Sequence, residues 1–171
     1  PNLVSTVDAI PYYLKDEYVE MFEKFKVYTK TEVASRAEIL LENYSKVINI
    51  EALTMLDMAK KQLLPAGIQF TKELCDTVSA KKSLGLDGGA EEKLLNKVAS
   101  LTSGMDSAIA DLDNKILNAK DYEESLELAK YYRNEVFSSM QSLRAVVDEL
   151  ETIVPENIWP LPTYSKLLFM V

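Results

Sequence analysis

The chain has 171 residues, a 47% apolar fraction and a single cysteine, which fits one domain with a real core and leaves no partner for an internal disulfide. Its 27 acidic residues against 19 basic ones give a net charge of -8, so nucleic acid is excluded as a natural partner, because the chain would repel a phosphate backbone. No apolar run of about 18 residues and no charged-then-apolar leader is visible, which argues against a membrane span and for the cytoplasm.

In chain order, Ser5 to Ile10 reads as one helical turn stopped by Pro11, since the residue before proline is pushed out of helical geometry. A second short helix is expected from Asp16 to Lys26, with Tyr18, Val19, Phe22 and Phe25 on its apolar side. Thr29 and Glu32 then have capping-box spacing, and Tyr28 with Val33 could close a hydrophobic staple around the cap. From Thr31, apolar positions at Val33, Ala37, Leu40, Leu41, Tyr44, Val47, Ile48, Leu56, Ala59, Leu63, Ile68, Leu74 and Val78 keep helical spacing. Pro65 falls inside this run, and a kink is expected near Leu64 because proline lacks the donor and crowds the preceding turn.

The glycines at 85, 88 and 89 make Lys81 to Gly89 the one clear loop. A third long helix, Ala90 to Ala119, carries Leu94, Val98, Leu101, Met105, Ala108, Leu112 and Ile116 in heptad register. The last helix is expected to be capped by Asp121 with Glu124 and to run from Tyr122 to Val154. Its stripe is Tyr122, Leu126, Ala129, Val136, Met140, Leu143, Val147, Leu150 and Val154, with Arg133 as the only non-apolar entry. Trp159-Pro160-Leu161-Pro162-Thr163-Tyr164 is expected to stay out of helix, and its two prolines favour an extended arm.

The fold class that follows is all-α: an elongated antiparallel helical bundle of three long helices, one kinked at Pro65, with short N-terminal helices and an extended C-terminal tail. The domain reading is a preface at 1–28 and a helical bundle domain at 29–171, whose arm is 155–171. The chain opens at Pro1 in mid-phrase, which suggests a segment cut from something longer.

Chemistry-bearing patterns are scarce. The chain has no histidine, which removes nucleophile triads, the usual general base and most zinc sites. Gly85 to Gly89 lacks the strand and lysine of a phosphate cradle. Glu91-Glu92 and Glu123-Glu124 sit where first helical turns favour carboxylates. Cys75, beside Leu74 and Val78, reads as a small buried hydrophobe. A carboxylate-metal bundle would need inward glutamates, but the last two seams are apolar apart from Arg133. No catalytic, cofactor-binding or metal-binding residue is assigned; Arg133, Trp159 and Tyr164 are the candidates for contact with another domain or subunit.

Three groups of strings carry a resemblance. They are Ser5-Thr6-Val7-Asp8-Ala9-Ile10-Pro11, Ser35-Arg36-Ala37-Glu38-Ile39-Leu40-Leu41-Glu42 with Asn49 to Met58, and the late set Tyr132-Arg133-Asn134-Glu135-Val136, Leu143 to Glu151 and Trp159-Pro160-Leu161-Pro162-Thr163-Tyr164. In this order and spacing they resemble the C-terminal region of type III glutamine synthetases, over most of the chain outside Lys81 to Leu117.

The resemblance implies a non-catalytic appendage of an enzyme that forms glutamine from glutamate, ammonia and ATP, with divalent magnesium or manganese held by segments upstream of this one. The segment alone is then expected to be inactive and to hold no cofactor. Its implied partners are the upstream catalytic domain and the neighbouring subunits of a homo-oligomeric ring. The alternative from the residues alone is a free-standing cytoplasmic helical protein-interaction module.

Overall fold

The structure is a computed structural model, all-α, and it describes residues 2–169. The chain groups into two compact units, Pro1–Leu53 with Asn114–Ser138, and Thr54–Asp113 with Ser139–Val171.

The first unit opens with α1 (Thr6–Ala9), closed by a Ser5–Asp8 capping box. Pro11 does not stop the chain here. It occupies the start of a 3-10 helix, Ile10–Leu14, where its missing N–H is an orphan in any case and its fixed φ suits the first turn. Helix α2 (Asp16–Lys24) follows, and Lys26 takes φ 55° at the turn beyond it. The capping box predicted before α3 (Lys30–Met58) is formed: Thr29 N–H donates to Glu32 Oε2 at 2.7 Å and Glu32 N–H donates to Thr29 Oγ1 at 3.4 Å. The unit's core gathers Val7, Ile10, Ala37, Leu41 and Ala129, with Tyr44 and Leu126 packed against it.

The second unit contains the passage through Pro65. The helical run does not end there; Ala59–Leu63 widens into a π turn in which Leu64 N–H donates to Ala59 O, and α4 (Leu64–Ser83) continues from it. A five-residue turn makes room where a proline ring would crowd an ordinary one. Helix α4 ends at a left-handed Gly85, φ 70°. Leu86 N–H donates to Lys81 O and Gly85 N–H to Lys82 O, the paired bonds of a Schellman ending.

Helix α5 (Gly89–Asn118) returns antiparallel to α4. Lys81 pairs with Glu91 near the hairpin, the Gly67 backbone meets Thr102 in the middle, and Lys60 pairs with Asp113 at the far end. Val98, Met105, Ile109 and Leu112 are its buried positions, so the predicted heptad seam holds, with Ile109 taking the deeper place beside Ala108.

The last helical run begins later than its stripe suggested. A 3-10 turn, Ala119–Asp121, follows α5, Tyr122 is exposed, and α6 (Ser125–Tyr131) is capped by Glu124 alone, whose carboxylate accepts from Leu126 and Glu127 N–H. Asp121 plays no part in that cap, because the 3-10 turn carries it away from the free amides. A second π turn, Tyr132–Val136, links α6 to α7 (Phe137–Glu151). The extra residue in this turn changes which side chain faces inward: Tyr132 is buried and Arg133 only half-buried. Arg133 is therefore not the seam entry the even spacing implied. Within the second unit α7 lies antiparallel to α5, with Ser139 bonded to Asp111 at one end and Lys97 paired with Glu149 at the other.

The arm is non-helical from Trp159 to Thr163, but Tyr164, expected outside any helix, is helical. It is not extended to its end. Once past Pro162 the chain can turn, and Thr163 starts a short α8 (Tyr164–Leu168), its carbonyl accepting from Leu167 N–H. Cys75 is exposed, contrary to its reading as a core residue: Leu74 and Val78 lie four apart on the buried stripe, and Cys75 falls one step off it.

Candidate functional site

The three contact candidates do not form one cluster. Arg133 stands in the first unit on the π turn, its guanidinium 5.3 Å from the Phe137 ring centre. Burial pushes the Tyr44 phenol above its ordinary pKa; the positive charge of Arg133 pulls it back, while Asp8 and Glu51 push it up further. Arg133 thus belongs to a mixed-charge patch around a half-buried tyrosine. Next to it, the Tyr132 phenol is also pushed up, mainly by burial.

Trp159 stands in the second unit and is turned inward. It is buried, and its indole N–H donates to Glu151 Oε1 at 3.1 Å, so it fastens the arm to the end of α7. Farther along, Lys166 pairs with Glu156 at 2.8 Å. The Tyr164 side chain lies outside the described residues.

Among the described residues no three of His, Cys, Asp and Glu converge to hold a metal ion, and no buried side-chain polar atom lacks a hydrogen-bond partner. Buried Ser139 donates to Asp111 at 2.6 Å, and buried Ser45 donates to Leu41 O at 3.1 Å. The perturbed carboxylates fit the same picture. Glu32 is held below the usual range first by the Thr29 backbone N–H and then by its hydroxyl, and Glu91 first by the Lys81 ammonium hydrogen bond. Both are structural ties.

What the first unit does present is apolar surface. A groove of about 470 Å³ is lined by Tyr13, Phe22, Tyr28, Arg36, Ile39 and Leu40 among others. Tyr13 and Phe22 stack at 6.5 Å, Phe22 meets Tyr28 edge-on at 5.7 Å, and Arg36 lies over the Tyr28 ring at 4.3 Å. Leu40, Val47 and, in the second unit, Ile68 share the helical spacing of the apolar run from Val33, but all three are exposed. The adjacent doublets Leu40-Leu41 and Val47-Ile48 hold the signal that was missed, because neighbours in a helix cannot share a face.

Comparison with known proteins decides what kind of chain this is. Residues 1–82 match the family described as glutamine synthetase C-terminal domain. Over residues 1–82 the chain is similar to a glutamine synthetase C-terminal domain. Over 99% of its length it is 39% identical to a glutamine synthetase of Butyrivibrio fibrisolvens and 28% identical to a type-3 glutamine synthetase of Dictyostelium discoideum. A glutamine synthetase of Bacteroides fragilis is 24% identical over 98% of the chain. The chain spans about a quarter, 24%, of each of these glutamine synthetases. Among its described residues no helix is long and apolar enough to cross a membrane.

Proposed function

We propose that the chain is the non-catalytic helical C-terminal domain of a type III glutamine synthetase, and that its work is structural, packing against the catalytic body and neighbouring subunits of a homo-oligomeric ring. The observation that carries this reading is the pairing of end-to-end similarity with partial coverage: glutamine synthetases match 98–99% of this chain, and this chain matches only 24% of each. The whole enzyme would form glutamine from glutamate, ammonia and ATP in the cytoplasm, using magnesium or manganese.

The segment has no histidine and, among the described residues, no group of three His, Cys, Asp or Glu placed to hold a metal ion; on this reading the metal and nucleotide are held by the rest of the enzyme, and no catalytic step is assigned to this segment.

The test is the mass of the endogenous polypeptide that an antibody to this chain recognises. A band about four times 19.3 kDa, co-purifying with glutamine synthetase activity, is expected. A band at 19.3 kDa would overturn the reading and favour a free-standing helical interaction protein.

A further inference from the structure

The aromatic groove of the first unit is walled by rings from three separate places in the chain. Tyr13 stands on the 3-10 helix Ile10–Leu14, Phe22 on α2, and Tyr28 just before the cap of α3. The Tyr13 and Phe22 planes lie within 5° of parallel, and Tyr28 meets Phe22 at 63°. The floor is one face of α3, because at about 100° per residue Val33, Arg36, Ala37 and Leu40 fall on the same side. The volume of about 470 Å³ lies inside the range of about 300–1,000 Å³ usual for small-molecule sites, which are mostly apolar with a few placed polar groups.

Charge separates this groove from its neighbours. Two other clefts of the first unit, of about 440 and 470 Å³, are lined in part by Glu38, Glu123 and Glu124 in one case and by Glu23 and Glu32 in the other. Among the described residues the aromatic groove has no carboxylate in its lining, and its one charged residue is Arg36, in a chain whose net charge is -8. Arg36 is exposed, and its guanidinium lies over the Tyr28 ring at 4.3 Å. The acid one turn before it, Glu32, is occupied by the Thr29 N–H and hydroxyl at 2.7 and 2.9 Å. A guanidinium stacked on a ring keeps its N–H edge for a carboxylate, which it grips with two parallel hydrogen bonds.

We infer that this groove binds a small aromatic carboxylate, its planar ring against the aromatic wall and its acid group on the Arg36 fork. A neutral apolar molecule would leave the guanidinium unused, and an amine would be repelled by it. The inference goes beyond the proposed function and does not depend on it.

The test is isothermal titration calorimetry of the whole endogenous polypeptide with indole-3-acetate as the probe. Tryptamine, which keeps the ring and reverses the charge, and cyclohexylacetate, which keeps the acid and removes the aromatic face, are titrated beside it. Saturable binding of indole-3-acetate is expected, with both other compounds weaker by about tenfold or more, the scale of one charge-assisted contact. Arg36→Gln should weaken the probe by a similar factor, and Arg36→Lys should fall between, since a point charge replaces the fork. Arg36 is exposed, so both variants should melt with the wild type and a loss of binding reports the site. Affinity unchanged in Arg36→Gln would place the probe elsewhere and overturn the inference. Tryptamine binding as tightly as indole-3-acetate, or no binding of indole-3-acetate at millimolar concentration, would overturn it as well.

Discussion

The Tyr132 hydroxyl donates to Asn49 Oδ1 at 3.1 Å, joining two residues 83 positions apart in sequence through a side chain that the π turn alone brings inward. The Tyr132 ring fills the core while its hydroxyl keeps a polar partner, the usual condition for burying a tyrosine.

Removing only that hydroxyl, Tyr132→Phe, is expected to cost about 1 kcal/mol, the typical worth of one such bond. Tyr132→Ala is expected to cost about 3–5 kcal/mol as an aromatic core deletion. Arg133→Ala should cost only about 0.5–1 kcal/mol, the value of its contact with the Phe137 ring. Denaturant unfolding of the three variants checks the register; a larger loss for Arg133→Ala than for Tyr132→Ala would reverse it.

Leu143 is 1% exposed in α7. Leu143→Asp places an unpaired carboxylate in that core, and its loss of stability should exceed about 4 kcal/mol, in the exceptional range for a single substitution. A melting curve followed by circular dichroism decides it, and an unchanged midpoint would displace the assigned seam.

At Gly67 in α4, a Cβ atom would sit 2.9 Å from Thr102 Oγ1. That hydroxyl donates to Val98 O at 2.8 Å, so it cannot turn aside without breaking a bond. Gly67→Ala should therefore destabilise by about 1 kcal/mol, despite alanine's advantage of about that size at an open helix site. In the Thr102→Ala background the same substitution should become neutral or stabilising. A double-mutant cycle reads the coupling directly.

The capping box before α3 is pH-dependent in a fixed sense. Hydrogen bonds from the Thr29 backbone N–H and hydroxyl lower the Glu32 pKa in the folded protein. Its stabilising effect is present above the unfolded carboxylate pKa and is lost as pH falls through the depressed folded value. Glu32→Gln, which mimics the protonated side chain, should lower the melting temperature at neutral pH. In acid below the folded pKa, variant and wild type should melt together, and a constant difference at all pH values would refute the assignment.

Much of the architecture was legible because it depends on local rules. The Thr29–Glu32 box, the glycine hairpin and the α5 heptads each specify their own structure within a few residues. The two π turns were not legible from spacing, since one extra residue per turn is a small backbone adjustment settled by packing around Pro65 and Tyr132. That is why the stripe through Arg133 was placed one residue off. Cys75 and Val47 failed for another reason: apolar character does not say which face of a helix has a neighbour. The contact candidates divided accordingly, with Trp159 turned inward by its bond to Glu151 and Arg133 left at the edge of a tyrosine patch.

Cys75 is the only thiol in the chain, and it is exposed on α4. A maleimide dye would therefore attach at one defined position per chain without displacing a core side chain. Counting photobleaching steps from single labelled particles of this 171-residue segment would then give the copy number of any assembly the segment forms by itself, with no tag added at either end.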